Sequence, residues 1–286
     1  MNKQSIIALS AIALLFAVAT LFTSSCKKTH NGTSSADSGI IYFHLHTQID
    51  DTTIGGNTDA SDSNETGPGA SPWYYIYDTH GPLIQLRVPQ FFVSNIMLNN
   101  ANGTMLTLNN VVLLKGLDSE DYYCCKVPVG TYTSAMFTVG LSSADNALAP
   151  TTQFVNDSVP YPFESGMWMG STSMGYYGMI IKGLLDTTSG HTGNNPVTLN
   201  YQIPNSLTSA NQVMLPTRGT GAYSSYPLYI VTKGSTVYVH ILCDYGKLLS
   251  NLSNMTTENA TDGMTLNVAV ADTLASHIPD MFRYEQ

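Results

Sequence analysis

An all-β fold, an antiparallel β-sandwich with long loops and a few short helices, is what this sequence predicts, and three observations carry the prediction. Short stretches rich in Val, Ile, Tyr, Phe and Thr alternate apolar and polar residues with a period of two, as half-buried strands do. Clusters of Gly, Pro and Asn separate them, where alternating βαβ units would need long helical segments. Charged residues make up 11 % of the 286, against roughly 25 % in an ordinary soluble domain. The resulting neutral-polar surface suits an exported β-protein.

The first segment is an address and not part of the fold. Met1-Asn2-Lys3 supplies a positive start, an apolar run from Ile6 to Leu21 is interrupted only by Ser10 and Thr20, and Thr23-Ser24-Ser25 lead into Cys26. The run is long enough for a membrane-spanning helix, but small residues just before a cysteine and a polar stretch after it favour cleavage after residues 1–25 and lipidation of Cys26. This pattern resembles bacterial lipoprotein signals of the Bacteroidetes type, in which the cysteine becomes an acylated N-terminus that anchors without spanning the membrane. Residues 26–38 have no apolar periodicity and read as a flexible tether. Lys27-Lys28-Thr29-His30 lacks the acids that often follow the lysine in surface-exported relatives, so the expectation is an outer-membrane lipoprotein facing the periplasm.

One domain, residues 39–286, follows. It opens with GIIYFHLHTQI, which places Ile41, Phe43 and Leu45 on one strand face and Tyr42, His44 and His46 on the other. Residues 55–72 (GGNTDASDSNETGPGASP) form a polar, Gly-rich loop. Its Asp59, Asp62 and Glu65 are either solvated or hold calcium, although no EF-hand pattern is present. Strand character then recurs in PLIQLRV, FFVSNIML, MLTLNNVVLL, DYYCCKVPV, TYTSAMFTVGL, YGMIIKGLL, VTLNYQI, PLYIVT, STVYVHILCDY and MTLNVAV. Asn-Asn-Ala-Asn-Gly between Met97 and Met105 marks a hairpin turn. Short helices fit residues 142–149, 246–254 and 273–281.

Three cysteines follow Cys26. Outside the cytoplasm an odd set suggests one bridge and one free thiol, with either Cys124 or Cys125 meeting Cys243, since adjacent strand residues face opposite ways. The three could also bind a metal, but no CxxC spacing supports that.

Composition excludes some functions. A formal charge of −9 and the lack of any basic stripe leave nucleic-acid binding without an electrostatic source. No G-x-S-x-G, H-E-x-x-H, P-loop or dinucleotide fingerprint occurs. Asp50, Asp51, Asp186 and Asp244 are isolated acids in an acidic β-protein, so the reading is non-catalytic.

Two constellations remain. His44-x-His46 on a strand puts both imidazoles on one face, close enough to turn onto one ion, and His240 in STVYVHILCDY is the best third ligand; the alternative is outward-facing polar residues. Met167-Trp168-Met169, in a Gly-rich stretch, is either core packing or a source of soft thioether ligands suited to Cu(I).

FHLHTQID, DTHGPLIQLRVPQFFVSNIML, VPVGTYTSAMFTVGL, MWMGSTSMGYYGMIIKG, VHILCDYGKLL and MFRYEQ, in that order, resemble the MbnP-like family over nearly the whole chain after the tether. The resemblance implies a β-sandwich that binds copper outside the cytoplasm, Cu(I) more than Cu(II). With Trp168 and the first-strand histidines carried over from the resemblance, and His240 and Met167 added from strand placement and thioether chemistry, the candidate metal ligands are His44, His46, His240, Trp168 and Met167. In characterised relatives a partner di-haem enzyme related to cytochrome c peroxidases oxidises a tryptophan to kynurenine beside the histidines. Trp168 matches the tryptophan-bearing segment, but no Trp-x-His occurs: Trp73 precedes Tyr74-Tyr75, and Trp168 precedes Met169-Gly170. The two functional readings are therefore a lipid-anchored copper-binding protein and, in a different class, a non-metal envelope module whose Tyr, Asn and Thr suit glycan or protein surfaces.

Overall fold

Phe43 and Phe137 come from different sheets and meet at a ring-centroid separation of 5.9 Å, which locates the sandwich interior. The computed structural model describes residues 37–49, 52–53, 74–75, 83–116, 121–150, 165–186, 188, 196–250 and 268–285. The expected export signal, Cys26, most of the expected tether, the acidic segment at 55–72, Trp73, His30, His80 and His191 lie outside them.

In chain order the strands are β1 (Ser38–Ile49), β2 (Thr52–Thr53), β3 (Tyr74–Tyr75), β4 (Leu83–Asn100), β5 (Met105–Leu108), β6 (Val112–Lys115) and β7 (Asp121–Pro128). There follow β8 (Gly130–Val139), β9 (Tyr177–Asp186), β10 (Val197–Pro204), β11 (Gln212–Met214), β12 (Tyr229–Val231), β13 (Thr236–Asp244) and β14 (Phe282–Tyr284). A five-stranded sheet runs β14-β13-β1-β2, with β7 also paired to β1. A nine-stranded sheet runs β10-β9-β4-β8-β11, with β3, β5 and β6 on β4 and β12 on β8. The all-β sandwich expected from the alternation is the observed fold.

The pairings are antiparallel with one exception among the described residues: β1 and β13 run parallel, with His44 opposite His240. No hairpin can make a parallel pair, and these strands lie at opposite ends of the domain sequence. Two expected strands, PLIQLRV and FFVSNIML, are one 18-residue β4, while MLTLNNVVLL divides into β5 and β6, both on β4. The break falls opposite Asn95, which has a positive φ of 49°, a conformation asparagine tolerates better than most residues. The expected hairpin forms: Asn100 N–H donates to the Thr104 carbonyl at 2.8 Å, and Gly103 supplies the turn's positive φ.

The core is built from the inward faces of the two sheets. Ile41, Phe43 and Leu45 of β1 and Val239 and Ile241 of β13 pack with Phe91, Phe137, Met179 and Ile181 of the larger sheet. Phe282 of β14 closes the layer, its ring 5.2 Å from that of Phe137 and 5.5 Å from that of Phe91. Truncating any of these phenylalanines to Ala would cost about 3–5 kcal/mol.

Three helices lie near their expected places. Ser142 caps Ser143–Asn146, its Oγ accepting from the Asp145 N–H. Asp244 caps Tyr245–Leu249 through Gly246 and Lys247 N–H, which gives this acid a structural role. Val268–His277 continues into a 3₁₀ turn at Ile278–Met281. This corrects the strand expected for MTLNVAV, whose last three residues, Val268 to Val270, are helical. Ala271, Leu274, Ala275 and Ile278 are buried at helical spacing, and that periodicity outweighs the β preference of the valines.

The expected bridge to Cys243 is absent. All three cysteines are free and buried. Cys125 lies opposite Ile41 of β1 and Cys243 opposite Thr47, six residues along one strand, or about 20 Å.

Candidate metal centre

The outward face of the five-stranded sheet carries polar and aromatic side chains in rows that cross the strands. One row is Tyr123, Tyr42 and Tyr238, each opposite the next on β7, β1 and β13, with ring centroids 5.8 and 5.6 Å apart. The adjacent row is Asp121, His44 and His240 on the same strands. Glu285 follows β14 and extends that row beyond His240, while His46 stands two residues along β1 from His44 on the same face.

The row brings three imidazoles together. Ring centroids of His44 and His46 are 4.7 Å apart and those of His44 and His240 4.6 Å apart. One ligand atom from each of the three falls within 4.8 Å of the others. Metal–imidazole bonds of about 2.0–2.1 Å place two nitrogens up to about 4.2 Å apart on a shared ion, so small ring rotations close the set. The residues therefore fit a metal ion.

Carboxylates stand behind each ring. His44 Nδ1–H donates to Asp121 Oδ1 at 2.6 Å and His240 Nδ1–H to Glu285 Oε2 at 2.8 Å, while Glu285 Oε1 lies 3.4 Å from His46 Nδ1. An ionised carboxylate only accepts, so in His44 and His240 a ring proton sits on Nδ1, and the neutral ring then leaves its Nε2 lone pair for coordination, the usual arrangement behind ligating histidines. The hydrogen bond from His240 holds the Glu285 carboxyl below its ordinary 4.5, against partial burial, with the neighbouring His46, His240 and His44 adding to the lowering. Exposure grades across the set: the His46 side chain is 7 % exposed, His44 15 % and His240 44 %. The site thus has a buried floor and an open rim at His240 beside the exposed Tyr238.

Met167 and Trp168 do not join it. Phe91, Met179 and Ile181 point into the sandwich, so their neighbours Phe92 and Ile180 point out of the nine-stranded sheet, and Met167 packs there with Phe92, Leu113, Leu141 and Tyr176. Trp168 covers this cluster, its ring edge-on to Tyr176 at 4.7 Å. The intervening turn has Gly175 at φ 72°, where a Cβ would strike Asn146. The expectation that both residues ligate with the histidines is corrected: the histidines stand on the outward face of the five-stranded sheet, these two residues on that of the nine-stranded sheet, and the thioether is fully buried among apolar side chains. Asp186 is likewise structural, bonding Thr188 N–H and Oγ1.

Sequence reasoning did not single out Asp121 or Glu285. Asp121 ends a short acidic run (Asp118, Glu120, Asp121) and Glu285 stands alone, and the partner of each is set by pairing between distant strands.

Residues 65–267, most of the chain, match the sequence model of the MbnP family. The chain belongs to the MbnP family. The matched span includes His240 but not His44, His46 or Glu285. Among solved structures this MbnP family member is similar to MbnP from Methylosinus trichosporium, with 12 % identity, a TM-score of 0.42, and coverage of 74 % of this chain and 77 % of that one. No curated protein matches it.

Proposed function

We propose that this protein is a lipid-anchored copper-binding protein of the cell envelope that captures and holds copper without catalysing a reaction. The observation that carries the reading is the His44, His46 and His240 cluster with ligand atoms within 4.8 Å of one another, each ring backed by a carboxylate. Family membership supports it, and so does the lipoprotein-type signal ending at Cys26. Imidazole suits copper, which stands at the top of the divalent first-row series at such sites.

His46 forms the sheltered floor, His44 is oriented by Asp121, and His240 is the accessible ligand through which an ion enters. Glu285 holds both His46 and His240 and adds a negative charge behind a cation. The preference for Cu(I) rested partly on a thioether ligand. With Met167 on the other sheet the donor set is wholly imidazole, and the proposal is for copper in either oxidation state. It needs no di-haem partner enzyme at this site, because Trp168 lies outside it.

The test is metal content of the full chain, solubilised from membranes of copper-supplemented cells and purified without a His tag. One copper per chain is expected, with none retained by the His44→Ala/His46→Ala variant; electron paramagnetic resonance reads the oxidation state. Absence of copper from the wild-type chain, with no uptake on titration, would overturn the reading in favour of a non-metal envelope module. Unchanged stoichiometry in the double variant would remove these ligands from it.

A further inference from the structure

Successive residues of a regular strand point to opposite faces, and β7 departs from this at Cys124. Its pairing with β1 sets Ile41 opposite Cys125 and Tyr42 opposite Tyr123, so Cys124 is the extra residue of a β-bulge. Both thiols are consequently buried in the core, and their Sγ atoms lie 3.3 Å apart. Cys243, six positions further along β1, is out of reach of either.

We propose that Cys124 and Cys125 are a modification site, at which the exported chain closes a vicinal disulfide across a single peptide bond while Cys243 remains a thiol. The reaction is thiol–disulfide exchange with an oxidised protein dithiol of the envelope. Both S–H bonds break, one S–S bond forms within this chain, and the donor's disulfide takes up the two electrons and two protons as a pair of thiols. The thiolate is the attacking species, and burial, with the Cys125 contact adding to it, pushes the Cys124 thiol well above its ordinary range. The exchange therefore belongs to the stage of export before β7 closes against β1. Adjacent Cα atoms are about 3.8 Å apart, short of the span of about 4.4–6.8 Å in most bridges, so this bond is easier to reduce than an ordinary structural one.

The bulge also bears on the metal centre. The extra residue keeps Tyr123 opposite Tyr42 and Asp121 opposite His44. A one-residue slip would turn the first residues of β7 to the other face and take Asp121 away from the His44 ring. A ring that fixes the bulge fixes that carboxylate.

The inference rests on export of the chain, so the test uses only full-length product from which the leader has been removed. Cells are lysed in denaturant with iodoacetamide and no reductant, and the chain is digested with trypsin. Cleavage after Lys115 and Lys126 releases both cysteines in one peptide, residues 116–126, apart from Cys243. That peptide is expected unalkylated and lighter by two hydrogens than the dithiol, with Cys243 alkylated and both modifications appearing after prior reduction. Cys243→Ser leaves the bridge in place and Cys125→Ser abolishes it. Alkylation of both cysteines without reduction, or a cross-link from this peptide to that of Cys243, would overturn the proposal. The His44→Ala/His46→Ala chain gives the same peptide, so failure of the copper reading leaves this result unaffected.

Discussion

The outer faces of the two sheets differ in what covers them. On the five-stranded sheet the central outward residues of β1 and β13 are the imidazoles of His44, His46 and His240 and the rings of Tyr42 and Tyr238, with Asp121 and Glu285 closing the histidine row at its two ends and His240 open to solvent. On the nine-stranded sheet the outward residues are Phe92 and Ile180, and a Gly-rich turn folds Met167, Trp168 and Tyr176 over them. Residues able to bind a metal occur in both places. What separates the two is the company of each donor: carboxylates behind a nitrogen orient its lone pair, whereas aromatic and aliphatic carbon around a sulfur uses it as volume.

The variants that most sharply test this contrast are those that exchange the two roles. Loss of both His44 and His46 is expected to abolish copper retention, while Met167→Leu, which preserves volume, retains full stoichiometry by metal analysis. Met167→Ala should instead act on stability alone. A fully buried methionine in the satellite core costs about 2–5 kcal/mol on truncation, read as a fall in the denaturation midpoint with one copper still bound. Glu285→Gln keeps the shape behind His240 but removes the charge, and copper affinity should drop about 10- to 100-fold, measured by competition with a chelator. A smaller effect is expected in acid. Because the folded Glu285 carboxyl titrates below its ordinary 4.5, its contribution to stability is complete above that pH and is lost as pH falls through the lowered value. Thermal unfolding of the metal-free protein followed against pH should show that loss, and the Gln variant should lack it.

Much of the smaller sheet is legible in the sequence. The alternation in GIIYFHLHTQI assigns Phe43 inward and His44 and His46 outward, as observed, and STVYVHILCDY offers His240. The two acids are not legible, because Asp121 and Glu285 acquire their roles only through registers among β7, β1, β13 and β14. Nor is the bulge at Cys124 legible: one extra residue in a strand leaves no mark in composition, yet it decides which thiols can meet. Met167 and Trp168 show the opposite difficulty, since a thioether and an indole belong equally to a core and to a soft-metal site until their neighbours are known. Only the start of the helix at Val268–His277 is hidden, by the valines that read as the end of a strand.

The parallel junction of β1 with β13 also governs timing. Nearly two hundred residues separate His46 from His240, so the ligand set is assembled only after the most distant parts of the domain have met, a slow step in chains dominated by non-local pairing. The His44-x-His46 pair by itself supplies two of the three imidazoles, and the third arrives only with β13. An ion bound by all three histidines would clasp β1 to β13 from outside the core once the strands have joined. Bound metal should therefore lengthen the lifetime of the folded state by slowing unfolding and leave the rate of folding nearly untouched.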